Sequence, residues 1–157
     1  MATGIWGLWL PGFFQFVAGI FLFFGLLTGA YKAPPLYMAA LAFTSYGIHW
    51  FAIGWNRMHG KGDSRINVGM TVGFTAISAI GTVVFLAAHD NPVAGVFIGL
   101  ILIYLADLVA SLKPDLPKVG AIGERFLGFF HLGTGIWLIY LMCAVSVDFS
   151  VGYHWLT

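Results

Sequence analysis

Pro92–Leu112, PVAGVFIGLILIYLADLVASL, holds one charged residue, Asp107, in twenty-one positions. A bilayer's hydrocarbon core is about 30 Å thick and is crossed by about 20 helical residues, so this run has the length and character of a membrane span. Four others flank it, at 5–29, 34–55, 66–88 and 122–147, and together they take up nearly all of the 157 residues. Composition agrees: 60% of residues are apolar and 8% are charged, against about 25% charged in soluble domains. Backbone groups in lipid must be satisfied internally, and none of the runs shows the alternation of a barrel strand. The sequence therefore predicts an all-α, polytopic integral membrane protein of five transmembrane helices, forming a single domain over 1–157.

The connectors carry turn chemistry. Ala33-Pro34-Pro35 opens the second helix, where proline's missing N–H costs little. Asn56 to Arg65 is a polar turn, Asp90-Asn91-Pro92 reads as cap and first turn of the fourth helix, and Lys113 to Lys118 is a stiff hydrophilic connector. Arg57, Lys61, Arg65, Lys113, Lys118 and Arg125 fall on the N-terminal side of the membrane, and Lys32 alone on the other. Basic residues stay cytoplasmic, so the N-terminus is expected inside a plasma membrane. The first run has no basic residue before it and is expected to be a retained helix, not a signal peptide.

The net charge of +1 gives no reason to expect nucleic acid. No Walker loop, dinucleotide fingerprint, HExxH or CxxC occurs, so no cofactor and no enzymatic chemistry are expected. The single cysteine, Cys143, reads as a small hydrophobe. Gly25 and Gly29, Gly69 and Gly73, and Gly95 and Gly99 form GxxxG pairs, the spacing that lets helices in lipid approach closely, within one bundle or between subunits. Trp6, Trp9, Trp50, Trp55 and Trp155 sit near helix ends, as in an interfacial belt, while Trp137 lies deeper and is expected to pack.

Ala42-Phe43-Thr44-Ser45-Tyr46-Gly47, followed by His49-Trp50, resembles the AFTSYG signature of the acetate and succinate transporter family. Gly12 to Gly19, GFFQFVAG, is similar to the GxxQxxAG helix that precedes that signature, and Tyr31-Lys32 falls where the family has a Tyr-Lys pair. Val96 to Leu100 resembles its VFFSL segment, and Gly133-Thr134-Gly135 with Ile139-Tyr140-Leu141 its last helix. The resemblance implies a six-helix protomer, a hexamer, and a path for small monocarboxylates or succinate through each protomer, narrowed by a Phe–Leu–Tyr constriction. Tyr46 matches the tyrosine and Leu100 the leucine. The phenylalanine belongs to the family's first helix, beside an NPAPLGL motif. This sequence begins at the family's second helix and holds no such motif, and its charge-based orientation is opposite to the family's. On this reading Thr44, Ser45 and Gln15 offer hydrogen bonds to a small carboxylate.

Counting at 1.5 Å per residue from the connectors puts His49, Asp107 and His131 about 8–14 Å below the same surface, with Tyr46 and Leu100 at about 14–18 Å. Intramembrane ionisable groups usually face the bundle interior or a wet cavity. Three readings of this layer stand open. Asp107 pairs with a neighbour as interhelical glue; or Asp107, His49 and His131 form a proton relay beside an anion path; or His49 and His131 are axial haem ligands. The corresponding functions are a monocarboxylate channel or transporter, a non-transporting subunit of a larger membrane complex, and a haem-bearing anchor of a respiratory enzyme. His59, His89 and His154 lie at ends or connectors and are expected to be solvated or interfacial.

Overall fold

The computed structural model describes residues 2–60 and 64–152, with the backbone alone at 2, 3 and 64–66; Lys61, His154, Trp155 and the side chain of Arg65 lie outside it. All described elements are helical. They are α1 (Ala2–Gly7), a π-helical stretch (Leu8–Phe14), α2 (Gln15–Leu27), α3 (Pro35–His59), α4 (Ser64–Ala87), α5 (Asn91–Ala110) and α6 (Pro117–Val151). Five segments are long and apolar enough to cross a membrane: Gly4–Leu27, Pro35–His59, Asn67–Ala87, Asn91–Ala110 and Pro117–Val151. The chain is a multi-pass membrane protein. Its contacts divide it into two compact units, Met1–Ile77 and Ser78–Thr157, with α4 contributing to each.

In the first unit, α3 lies antiparallel against the first span. Pro34 and Pro35 open α3, and Gly60 (φ 62°) ends it in the left-handed conformation. Ala40, Thr44, Gly47, Phe51, Gly54 and Met58 follow one another at four- and three-residue steps, the spacing of a coiled-coil seam. Across from them, Gly19 meets Ala40 and Thr44, Phe16 meets Gly47, Gly12 meets Phe51, and Gly4 and Leu8 meet Gly54. A Cβ on Gly47 would stand 2.6–2.8 Å from the Phe16 backbone. Small residues thus set how near the two backbones come.

On the first span the seam residues Gly4, Leu8, Gly12, Phe16 and Gly19 step by four, four, four and three. A regular α-helix would carry Gly4 off the seam, because that spacing holds one residue, roughly 100° of rotation, too many. The π-helical stretch from Leu8 to Phe14 takes up the surplus with its wider turn. Pro11 sits inside it, where a regular ladder would set the proline ring against the carbonyl four residues back.

The second unit is built around α5 and α6, again antiparallel. Gly95 lies against Trp137, Gly99 against Thr134, Gly123 against Val109 and Ala110, and Gly120 against Lys113. The buried residues of α6, Gly120, Gly123, Thr134, Leu141 and Ala144, fall on two positions of a seven-residue repeat. Asp90 caps α5 as its sequence suggested, its Oδ1 accepting from the Val93 N–H at 3.1 Å. Trp137 does pack: its Nε1–H donates to the Pro92 carbonyl at 3.0 Å and its ring stacks on Tyr140 at 5.3 Å. From α4, Gly81 lies under the Phe97 ring and Phe85 stacks on it at 5.4 Å.

Several sequence expectations change, one of them the end of the second span: α3 continues to His59, so Asn56 to His59 are helix and not turn. The last helix starts at Pro117, not 122, and runs for 35 residues, about 52 Å at 1.5 Å per residue. Its first turns are too polar to read as membrane but helical all the same, because Pro117 is well placed at a helix start and Gly120 seats the turn on Lys113. An ion pair between Lys113 Nζ and the Glu124 carboxylate, at 2.7 Å, ties this segment back to the connector. Gly25 and Gly29 do not form a packing pair: Gly25 lies under the Tyr31 ring, and Gly29 (φ 73°) turns the chain out of α2. Gly69 and Gly73 face outward with nothing near them, whereas Gly95 and Gly99 do lie on a seam.

The seam predicts a contrast between two glycines. Gly47→Ala should lower stability in detergent by about 1–3 kcal/mol, the range for overpacking. Gly69→Ala, where an added methyl meets open space, should stay within about 0.5 kcal/mol of the parent. Thermal unfolding of the two variants side by side reads the difference.

Candidate functional site

The α3 helix is buried on two sides, and the AFTSYG stretch divides between them. Thr44 and Gly47 face the first span. Met38, Ala42, Tyr46 and His49 form a second buried row, with Tyr46 at 4% and His49 at 3% exposure. Phe43 faces outward and Ser45 is half-buried. The second row meets α4 at Phe74, whose ring centre is 5.6 Å from that of Tyr46 and 4.4 Å from that of His49. The first unit therefore gathers a tyrosine, a histidine and a phenylalanine into one buried cluster, one helical turn separating the first two.

Two further side chains of interest sit on the first-span side. The Thr44 hydroxyl donates to the Ala40 carbonyl at 2.8 Å, so its hydrogen is already held by its own helix. Gln15 opens α2 directly after the π-helical stretch. Its Oε1 is buried and accepts no hydrogen bond, an uncommon state for an amide oxygen.

In the second unit Leu100 is half-buried one turn beyond Phe97, and Asp107 is half-buried near the end of α5. His131 is on the exposed side of α6, off the seam with α5, and its Nδ1 lies 2.8 Å from the Leu127 carbonyl. A carbonyl only accepts, so Nδ1 is the donor in this contact. Because α6 begins at Pro117, His131 lies fourteen residues from its start, or about 21 Å, and much of that length is the polar first turns. His59 resembles it locally, with Nδ1 2.9 Å from the Trp55 carbonyl and its ring 4.1 Å from that of Trp55. Among the described residues no three His, Cys, Asp or Glu side chains gather as a metal site.

Sequence reasoning passed over Phe74 and the hydroxyls of α4. Thr71 and Ser78 are fully buried. Thr71 donates to the Asn67 carbonyl, Thr75 to that of Thr71 and Thr82 to that of Ser78, at 2.8, 2.8 and 3.0 Å. These back-bonds satisfy each threonine hydroxyl hydrogen within the helix. Positions 71, 75, 78 and 82 step by four, three and four, so they share one face, and that spacing inside an apolar run was the available signal. Phe74 had none, being one phenylalanine among 15.

Fold and side chains together define a multi-pass helical membrane protein with a buried aromatic–histidine cluster in its N-terminal unit. No family model, curated protein or solved structure matches the chain.

Phe74 holds the cluster from the α4 side. Phe74→Ala should cost about 3 kcal/mol, at the low end for aromatic-to-alanine changes because the ring is only half-buried. Phe74→Leu should cost under about 1.5 kcal/mol. Denaturation in detergent, followed through tryptophan fluorescence, gives both values.

Proposed function

We propose that this protein passes small monocarboxylates such as acetate across a cell membrane. The observation that carries the reading is the burial of Tyr46 beside His49 in a membrane span. Intramembrane ionisable groups are costly and tend to mark pathways, and here the tyrosine of the AFTSYG stretch lies in the same row. On this reading Tyr46 narrows the path in the first unit, and Gln15 and Ser45 supply hydrogen bonds. Thr44 can join them only by giving up its bond to Ala40. Leu100 is the corresponding narrowing residue of the second unit, by resemblance to the acetate and succinate transporter family.

His49 in the first unit and Asp107 in the second are the groups available for proton coupling; His131, on the exposed side of α6, would join only against a neighbouring subunit. A homo-oligomer in the plasma membrane, with the N-terminus cytoplasmic, completes the proposal. The uncovered Gly69 and Gly73 of α4 suit close approach by another helix. Desolvating a carboxylate without hydrogen-bonding groups is prohibitive, which is why hydroxyl and amide side chains belong on such a path. No covalent step is required.

Uptake of labelled acetate by proteoliposomes tests this. Saturable uptake above empty vesicles is expected. Tyr46→Ala should change the rate by roughly tenfold, equivalent to about 1.4 kcal/mol in the barrier, and should admit longer monocarboxylates. Asp107→Asn should alter the pH dependence if the carboxylate takes part in coupling. Absence of flux from folded protein would overturn transport by this chain alone and favour a non-transporting subunit of a larger complex. A Soret band in the purified protein would instead support a haem anchor.

A further inference from the structure

We propose that Lys118 and Arg125, near the start of α6, hold the phosphate of an anionic phospholipid whose acyl chains run down the outer face of the same helix. The inference needs only that the chain spans a membrane and is independent of what it transports. Its starting point is length. Residues 126–147 include no Asp, Glu, Lys or Arg and rise about 33 Å at 1.5 Å per residue, which fills a hydrocarbon core about 30 Å thick. Arg125 therefore stands at the edge of the core, level with lipid phosphates. Lys118 stands two turns, about 10 Å, further out.

Helix α6 does not stop at that edge. It starts at Pro117, and the connector before it is folded back on its first turns. The N–H groups of Asp115 and Leu116 donate to the Leu112 carbonyl at 3.1 and 2.8 Å, and Gly120 lies against Lys113. Lys113 Nζ meets both oxygens of the Glu124 carboxylate, at 2.8 and 2.7 Å. This closure holds the turns at headgroup level as rigid helix, so Lys118 and Arg125 keep a fixed relation. It also occupies the carboxylate next to Arg125. Neither Lys118, Arg125 nor Asp115 makes an ion pair with another described residue, so the two cations stand uncompensated at the height where phosphates lie.

Positions 118 and 125 are seven apart, hence on one face of the helix, and the seam with α5 at Gly120 and Gly123 lies on the other. Two long side chains a two-turn step apart reach one phosphate between them. The arginine fork takes two of its oxygens, and the lysine adds a compact charge. Alongside them Val119, Ile122, Phe126 and Phe129 step by three, four and three and are all exposed. Val119 and Ile122 lie above the core, where the glycerol region and upper acyl carbons of a bound lipid would cover them. Phe126 is backed by Phe130, stacked at 5.9 Å, and with Phe129 it offers an aromatic surface along which an acyl chain lies. Gly128, one turn below Arg125, has open space where a side chain would stand, which leaves room for the ester groups. A zwitterionic headgroup brings an ammonium of its own, which this pair of cations repels, so the face selects an anionic lipid.

Native mass spectrometry of the full chain in detergent, supplied with phosphatidylglycerol and phosphatidylcholine in equal amounts, tests this. The parent should retain phosphatidylglycerol at least fivefold over phosphatidylcholine. Lys118→Gln and Arg125→Gln should each lower that retention about fivefold, the worth of one basic residue at a membrane surface, and Arg125→Lys should lower it less. Arg57→Gln, at the end of α3, should retain the lipid as the parent does. All three positions are exposed, so the variants fold. Equal retention of the two lipids would overturn the proposal. So would an equal loss in Arg57→Gln, since overall charge and not this pair would then set the preference. Inorganic phosphate should leave the lipid bound; displacement by it would show a site for free phosphate and overturn the lipid assignment.

Discussion

Helices in a bilayer gain little by hiding one apolar side chain against another, because lipid is as apolar as leucine. What joins them is close contact between backbones, and only small residues permit it. In the first unit this requirement places Ala40, Gly47 and Gly54 seven residues apart on α3, facing Gly19, Phe16 and Gly4. In the second it places Gly99 on Thr134 and Gly123 on Ala110. Side chains elsewhere on these helices take their positions from the two seams. Large apolar residues such as Phe21, Phe24, Phe129 and Ile136 stay exposed, as befits a surface whose solvent is lipid.

The seam also arranges the chemistry. Because Thr44 and Gly47 must face the first span, Tyr46 and His49 are turned to another side of the same helix, where Phe74 covers them. A six-residue motif thereby supplies a packing surface and a polar row at once, and neither could shift by one residue without moving the other. Polar side chains off the row are handled locally. Thr44, Thr71, Thr75 and Thr82 each bond a carbonyl four residues back, which makes a hydroxyl cheap inside a membrane. Gln15 is the exception, since a glutamine has no such short return to its own helix.

The five spans were legible because the bilayer imposes a length, and apolar runs of that length have few other homes. The caps at Pro34 and Asp90 were legible because proline and aspartate act through their own local chemistry. The start of α6 was missed because Lys118, Glu124 and Arg125 interrupt the apolar pattern without interrupting the helix. The glycines were half legible. Spacing by four found Gly95 and Gly99, but the first unit's seam runs on a repeat of seven, and Gly25 and Gly29 serve a turn. Tyr46 and His49 were legible as polar groups in an apolar run, and Gln15 likewise. Phe74 was not, because an aromatic in an aromatic-rich chain carries no mark of its neighbours. Nor did sequence reveal that His131 faces outward, since counting residues gives a height along a helix and no direction around it.

The π-helical stretch at Leu8–Phe14 bears on how this chain could change its length. A residue added to or removed from an ordinary span turns everything beyond it by roughly 100° and misaligns the seam. Here the surplus residue is already housed in a widened turn. Loss of one residue between Leu8 and Gly12 would place Gly4 seven positions before Gly12, the natural period of the seam, and the turn would close into regular α-helix. The first span therefore has two admissible lengths with the same contacts to α3, and this is the place in it where the deletion of one residue leaves the fold in phase.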